Sequence, residues 1–77
     1  MIDVLFFAGL RDAVGESKVT VEATNITVEQ LKEKLLESYD LPNLQQAMIA
    51  INEEYATDDA IVENGDVVAF IPPVSGG

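Results

Sequence analysis

Alternating apolar positions at the start of the chain predict two paired strands. Residues 2–7 (IDVLFF) have the composition of a strand whose even-numbered side chains share one face, while Leu5 and Phe7 lie on the other. Residues 17–23 (SKVTVEA) alternate apolar and polar side chains, which is typical of a half-buried strand. The segment between them is expected to form one short helical turn that ends at Gly15. This connection is too short for a crossover, so the two strands are expected to be antiparallel.

Helical spacing of apolar residues is clearest over residues 27–39. Thr27 and Gln30 are placed to form a capping box, with Ile26 and Leu31 as a hydrophobic staple. The apolar stripe is expected to pack against a sheet, and the polar positions are expected to face solvent. The predicted stripe comprises Val28, Leu31, Leu35, Leu36 and Tyr39, and the predicted solvent-facing positions are Glu29, Lys32, Glu33 and Glu37.

The second half of the chain predicts further strands. Pro42 prevents the helix from continuing, so the helix is expected to end near residues 38–40. MIAIN at 48–52 predicts a short buried strand, followed by a turn around 52–53 and a second strand, EEYA. NGD at 64–66 is a strong turn signal before a last strand, VVAFI. The order ββαβ(β)β predicts an α+β roll, with one main helix across one face of a mixed four- to five-stranded sheet and the other face partly open.

Composition narrows the chemistry that this domain can perform. Its 77 residues are 48% hydrophobic, which is enough for one core, and they include no cysteine or histidine, so neither disulfides nor a metal site is expected. Fourteen acidic and four basic residues give a net charge of −10, which disfavours nucleic acid and anionic membranes as partners. The N-terminus lacks the basic region of a signal peptide, and no apolar run approaches the roughly 20 residues of a membrane span. The expected location is the cytoplasm.

Motifs for independent catalysis are missing from the sequence. The serines have no histidine or cysteine partner that could activate them, and no glycine-rich phosphate loop is present. The acid pairs at 53–54 and 58–59 fall in predicted turns, where carboxylates are usually just solvated. The chain is therefore expected to act through a surface or through its tail, with no catalytic side chains of its own.

The C-terminal segment has an unusual composition for the end of a compact domain. Prolines have a fixed φ and no N–H, so the sheet must end where they begin. Six residues can reach about 20 Å when extended, and glycines can pass through a channel too narrow for a side chain. An inert, frayed end remains an alternative. The expected organisation is a domain over 1–71 and an extended tail over 72–77, comprising Pro72, Pro73, Val74, Ser75, Gly76 and Gly77.

Motifs at both ends of the chain carry a family resemblance. VLFFAGLRDAVG and GDVVAFIPPVSGG resemble the corresponding segments of the MoaD/ThiS family of ubiquitin-like sulfur carriers, and within it the small subunits of molybdopterin synthase. The likeness covers essentially the whole chain, including the AIN strand and the terminal Gly-Gly. It implies a ubiquitin-like β-grasp fold and a part in molybdenum cofactor biosynthesis.

The resemblance also implies a reaction at the C-terminus. In the family an ATP-dependent activating enzyme adenylates the terminal carboxylate, here that of Gly77. Sulfur from a sulfurtransferase or cysteine desulfurase then replaces AMP and leaves a thiocarboxylate. The large subunit of molybdopterin synthase, in a heterotetramer with the carrier, takes up the tail and transfers sulfur to a pyranopterin precursor. The carrier is expected to bind no cofactor, and the catalytic side chains are expected in the large subunit.

A docking surface on the open sheet face is the second implied feature. In the family this surface includes the residues corresponding to Phe7, Tyr55 and Ile71, although Phe or Leu is commoner at the last two positions. Leu5 is expected on the same face. From the last strand, either Phe70 or Ile71 is expected on that face as well. Arg11 matches the basic residue of the family's LR motif. Its side chain could make a polar contact with the partner or form an ion pair on the carrier's own surface.

Three alternative functions remain open at this point. A thiamine-pathway sulfur carrier would use the same fold and chemistry with another acceptor. A ubiquitin-like modifier would form an isopeptide bond with lysine, although the tail lacks the basic residues that precede Gly-Gly in ubiquitin. A non-catalytic binding module with an inert tail belongs to a different class altogether.

Overall fold

The part of the chain that the structure describes contains two α-helices and two sheets. The computed structural model describes residues 1–41 and 44–72. The strands are β1 (Ile2–Phe6), β2 (Lys18–Val21), β3 (Ile26–Thr27), β4 (Met48–Ile51), β5 (Glu54–Ala56), β6 (Ile61–Val62) and β7 (Val67–Ile71). The helices are α1 (Ala8–Val14) and α2 (Val28–Ser38), and a single 3-10 turn covers Leu44–Gln46.

The larger sheet is mixed and has the strand order β2-β1-β7-β4-β5. The central strands β1 and β7 run parallel, and the other neighbouring pairs are antiparallel. This confirms the predicted mixed sheet of an α+β roll and the antiparallel pairing of the first two strands. The short strands β3 and β6 form a separate two-stranded sheet, which was not predicted because two residues carry no detectable alternation.

The helix α2 begins and ends as its sequence predicts. The Gln30 backbone N–H donates to the Thr27 hydroxyl at 3.1 Å, and the Thr27 N–H donates to the Gln30 side-chain oxygen at 2.9 Å, which completes the capping box. The helix ends at Ser38, because Tyr39 is already extended. The short helix α1 also ends where it was expected to, at Gly15, whose φ of 88° lies in the left-handed region.

The predicted faces of α2 were wrong at two positions. Lys32 is almost fully buried, and its ammonium group contacts the Asp58 carboxylate at 2.8 Å, whereas Leu36 is 39% exposed. At about 100° per residue, position 32 lies roughly 40° around the helix from Val28, and position 36 lies roughly 80° away. The spacing therefore favours burial of Lys32. The prediction failed because it sorted these two residues by chemical type and not by angle.

The core lies between α2 and one face of the larger sheet. The inward-facing strand residues are buried with the buried helix residues, and Phe6 and Phe70 stack with their ring centroids 6.1 Å apart. Within the described ranges, no helix is long and apolar enough to cross a membrane. The buried cluster comprises Ile2, Val4, Phe6, Leu10, Val19, Val28, Leu31, Leu35, Leu41, Leu44, Ala47, Ile49, Val62, Val68 and Phe70.

Candidate functional site

The sheet face opposite α2 presents a row of apolar side chains. The strand register aligns Leu5 with Ala69, Ala69 with Ala50 and Ala50 with Tyr55, so one row crosses four strands. Directly opposed residues share a sheet face, so these four side chains lie on the same side. Tyr55 ends the row on the edge strand β5 and is 75% exposed.

A second row lies next to the first, toward the end of β7. The register pairs Ile71 with Met48, and Phe6 with Phe70. Phe7 follows in extended backbone, with φ −124° and ψ 152°, and is therefore beside Ile71. Phe7 and Met48 are each 44% exposed, and Ile71 is half-buried.

These two rows form one continuous surface, the docking patch, defined here as Leu5, Phe7, Met48, Ala50, Tyr55, Ala69 and Ile71. The helix α2 packs against the other face of the sheet, and in the patch Phe7, Met48 and Tyr55 are exposed, whereas Ala50 is buried. Large exposed apolar groups that lie together commonly mark a protein–protein contact. The patch is therefore a candidate binding surface.

The predicted patch residues are found together on this face. Leu5, Phe7, Tyr55 and Ile71 all belong to it, whereas Phe70, the alternative to Ile71, is fully buried. Met48 was missed. The alternation in MIAI contains the signal for it, because an inward Ile49 requires Met48 to face outward.

Arg11 lies on the exposed side of α1, the helix that follows the patch residue Phe7. Its backbone carbonyl accepts the N–H of Gly15 at 2.8 Å. Its guanidinium forms no ion pair within residues 1–41 and 44–72. Of the two roles left open for Arg11, the surface ion pair is therefore not found among these residues, and the side chain is exposed.

The acidic pair Asp58 and Asp59 serves structural contacts. The Asp58 carboxylate holds the buried Lys32, and the carbonyl of Asp58 accepts the N–H of Glu29 at the start of α2. The Thr57 hydroxyl donates to Asp59 and lowers the pKa of that carboxyl below its ordinary value. The described residues contain no cluster of acidic side chains that could hold a metal ion.

The tail begins at the same end of the sheet as the second row of the patch. Pro72 directly follows Ile71, the last residue of β7, so the chain leaves the sheet beside Phe7 and Met48. The tail residues Pro73, Val74, Ser75, Gly76 and Gly77, including the predicted reactive carboxylate, lie outside the described residues.

Comparison with known proteins gives full-length matches. The profile of the ThiS family matches residues 4–77. The molybdopterin synthase sulfur carrier subunit of Haemophilus influenzae is 36% identical over 81 aligned positions, which cover 100% of both chains.

Solved structures match over a similar extent. SAMP1 from Haloferax volcanii superposes with a TM-score of 0.83 at 24% identity, covering 99% of this chain and 98% of that one. A chain from the complex of subunits 1 and 2 of the molybdopterin-converting factor from Helicobacter pylori gives a TM-score of 0.71 at 26% identity, covering 99% and 97%. The fold is the ubiquitin-like β-grasp that the family resemblance implied.

Proposed function

Because the chain belongs to the ThiS family, we propose that it is a sulfur carrier of molybdenum cofactor biosynthesis that works with the large subunit of molybdopterin synthase. The observation that carries this proposal is the position of the docking patch beside the point where the chain leaves the sheet. A partner that covers the patch would receive the tail at its own surface. A full-length relative named as the sulfur carrier subunit of molybdopterin synthase supports this branch of the family over the thiamine branch.

The reacting group in this proposal is the α-carboxylate of Gly77. An ATP-dependent activating enzyme transfers AMP to it and releases pyrophosphate, which gives an acyl adenylate. A sulfur nucleophile, supplied by way of a sulfurtransferase or cysteine desulfurase, displaces AMP and leaves the thiocarboxylate. The proposed location of this reaction is the cytoplasm, where ATP is available.

The carrier's side chains contribute binding and positioning. The docking patch holds the domain against the large subunit while the segment from Pro72 to Gly77 extends into that subunit's active site. Gly76 and Gly77 suit a closed channel, because they lack a Cβ and can pass where other residues cannot. Exclusion of water from such a channel would protect the adenylate and the thiocarboxylate from hydrolysis. Arg11, which is exposed on the helix that follows Phe7, is proposed to add a polar contact with the partner.

The proposal is tested by molybdopterin formation from purified large subunit, pyranopterin precursor and carrier that has first been incubated with the activating enzyme, ATP and a sulfur source. Deletion of Gly77, or addition of one residue after it, should abolish sulfur transfer because no carboxylate remains at the required position. Gly76→Val should impair activation by its size alone. Thermal melts of each variant should match the unmodified chain, since the core lies elsewhere. Full activity without Gly77 would contradict the proposal.

A further inference from the structure

A cavity of about 330 Å³ adjoins the docking patch at the end of the sheet away from the tail. It is lined by the patch residue Leu5, by Val67 at the start of β7, and by the turn residues Asn52 and Glu53. Leu5 and Val67 share the open face, because Leu5 is opposed to Ala69, which lies two residues from Val67. The cavity therefore combines apolar walls with a carboxylate.

The turn that contributes to this cavity has an unusual backbone. Residues 52–53 join β4 to β5 as a two-residue loop, since Ile51 is paired with Glu54. Both loop residues have positive φ, which is 50° at Asn52 and 72° at Glu53. Such loops favour glycine at the second position, because a Cβ is strained there. Glycine would therefore be the more stable residue at position 53, yet the chain has a glutamate.

The two loop residues use their side chains differently. The Asn52 amide donates to the Asp66 carboxylate at 3.1 Å, and the Asn52 side-chain oxygen accepts the Val67 N–H at 3.0 Å. These contacts account for Asn52, whose residue type also tolerates positive φ. Glu53 is exposed and forms no ion pair within residues 1–41 and 44–72. Strained residues are concentrated at functional sites, so the strain at Glu53 indicates a function for its carboxylate.

A long cationic side chain matches both parts of the cavity. Lysine and arginine bury an apolar stem against apolar surface while their charged head stays in a polar environment. Here the stem would cover the half-buried Leu5 and Val67, and the head would reach the Glu53 carboxylate. The net charge of −10 also attracts a cationic partner. An apolar or acidic side chain would leave the carboxylate unpaired, so charge favours a cation.

We propose that Glu53 binds a lysine or arginine side chain of the large subunit, and that this contact fixes the orientation of the carrier on that subunit. The inference rests on the proposed function and deepens it, because it concerns the same docking face. Val67 and Ile71 are the two ends of β7, so the cavity and the start of the tail lie about 13 Å apart, at roughly 3.3 Å per residue. Contacts at both ends would prevent the carrier from rotating about Phe7 and would direct the tail.

Replacement of Glu53 by glycine should change stability and binding in opposite directions. Relief of the positive φ should raise the melting temperature by roughly 2–8 °C. Loss of the carboxylate should weaken binding to purified large subunit roughly fivefold, measured by isothermal titration calorimetry at about 0.15 M salt. Glu53→Gln should weaken binding similarly at a nearly unchanged melting temperature, because it removes the charge and keeps the strained backbone.

Two exposed positions supply matched controls. Glu54→Gln makes the same change in net charge, but Glu54 lies on the opposite sheet face from its neighbour Tyr55. Asn25→Gly also relieves a positive φ, of 58°, in the connection between β2 and β3. Both controls should bind the large subunit as the unmodified chain does. Glu53→Lys places like charges together and should weaken binding more than Glu53→Gln.

The outcomes separate this inference from the proposed function. Unchanged affinity in Glu53→Gly would overturn the inference, as would equal losses of affinity in Glu53→Gln and Glu54→Gln. In either case, weaker binding by Phe7→Glu would leave the proposed function intact. If the unmodified chain did not bind the large subunit, the proposed function would fail and the inference with it. Weaker binding by all three variants at position 53, with both controls unchanged, would establish the contact.

Discussion

Replacement of Phe7 by glutamate should weaken binding to the large subunit of molybdopterin synthase without unfolding the carrier. Phe7 lies beside Ile71 in the docking patch and is 44% exposed. For a phenylalanine of about 200 Å², this leaves roughly 90 Å² for a partner to cover. At about 25 cal/mol per Å², the loss of that contact costs roughly 2 kcal/mol, or about thirtyfold in Kd. A buried, unpaired carboxylate would increase the loss.

Leu36→Glu is the matched control for this variant. Leu36 is 39% exposed, so it offers a similar apolar area, but it lies on α2, on the opposite side of the sheet from the patch. Isothermal titration calorimetry with purified large subunit should give an unchanged Kd for Leu36→Glu and a weaker one for Phe7→Glu. Circular dichroism melts should show both variants folded. Equal losses of affinity, or unchanged binding by Phe7→Glu, would refute the assignment of the patch.

Three further predictions concern stability. Leu31→Ala should lower the free energy of unfolding in urea by about 2–5 kcal/mol, because Leu31 is fully buried between α2 and the sheet. Glu53→Gly should raise it by roughly 0.5–1 kcal/mol, because the φ of Glu53 is 72°; Glu54→Gly, in the adjoining strand, should lower it. The Glu63 N–H and the Asn52 amide donate to the Asp66 carboxylate and lower its pKa. The stability that this carboxylate contributes is therefore present at neutral pH and is lost as the pH falls through the lowered pKa. Asp66→Asn should therefore be destabilising at neutral pH, and the difference should shrink as the pH falls through the lowered pKa of Asp66.

Local signals in the sequence were sufficient for most of the fold. The capping box of α2, the glycine at the end of α1 and the turns around Asn52 and Gly65 each specify a conformation by side-chain chemistry or backbone freedom, and each was predicted at its observed position. Strand alternation then separated the buried from the open face of β1. These features depend on residues close together in the chain, which is why they could be predicted from one sequence.

Features that depend on distant residues were not predicted. Burial of Lys32 requires Asp58, which is 26 residues away, to supply the compensating charge. The pairing of β3 with β6 likewise joins two-residue segments that carry no pattern of their own. Met48 was missed for a different reason, because the alternation that directs its side chain to the open face was not followed back from the inward-facing Ile49.

Intact-mass spectrometry of the carrier after incubation with its activating enzyme, ATP and a sulfur source tests the central claim most directly. The account predicts a mass increase equal to the exchange of one oxygen for sulfur. Fragmentation should place this increase on Gly77, and a chain lacking Gly77 should show none. An unchanged mass, or an adduct on any other residue, would contradict the account.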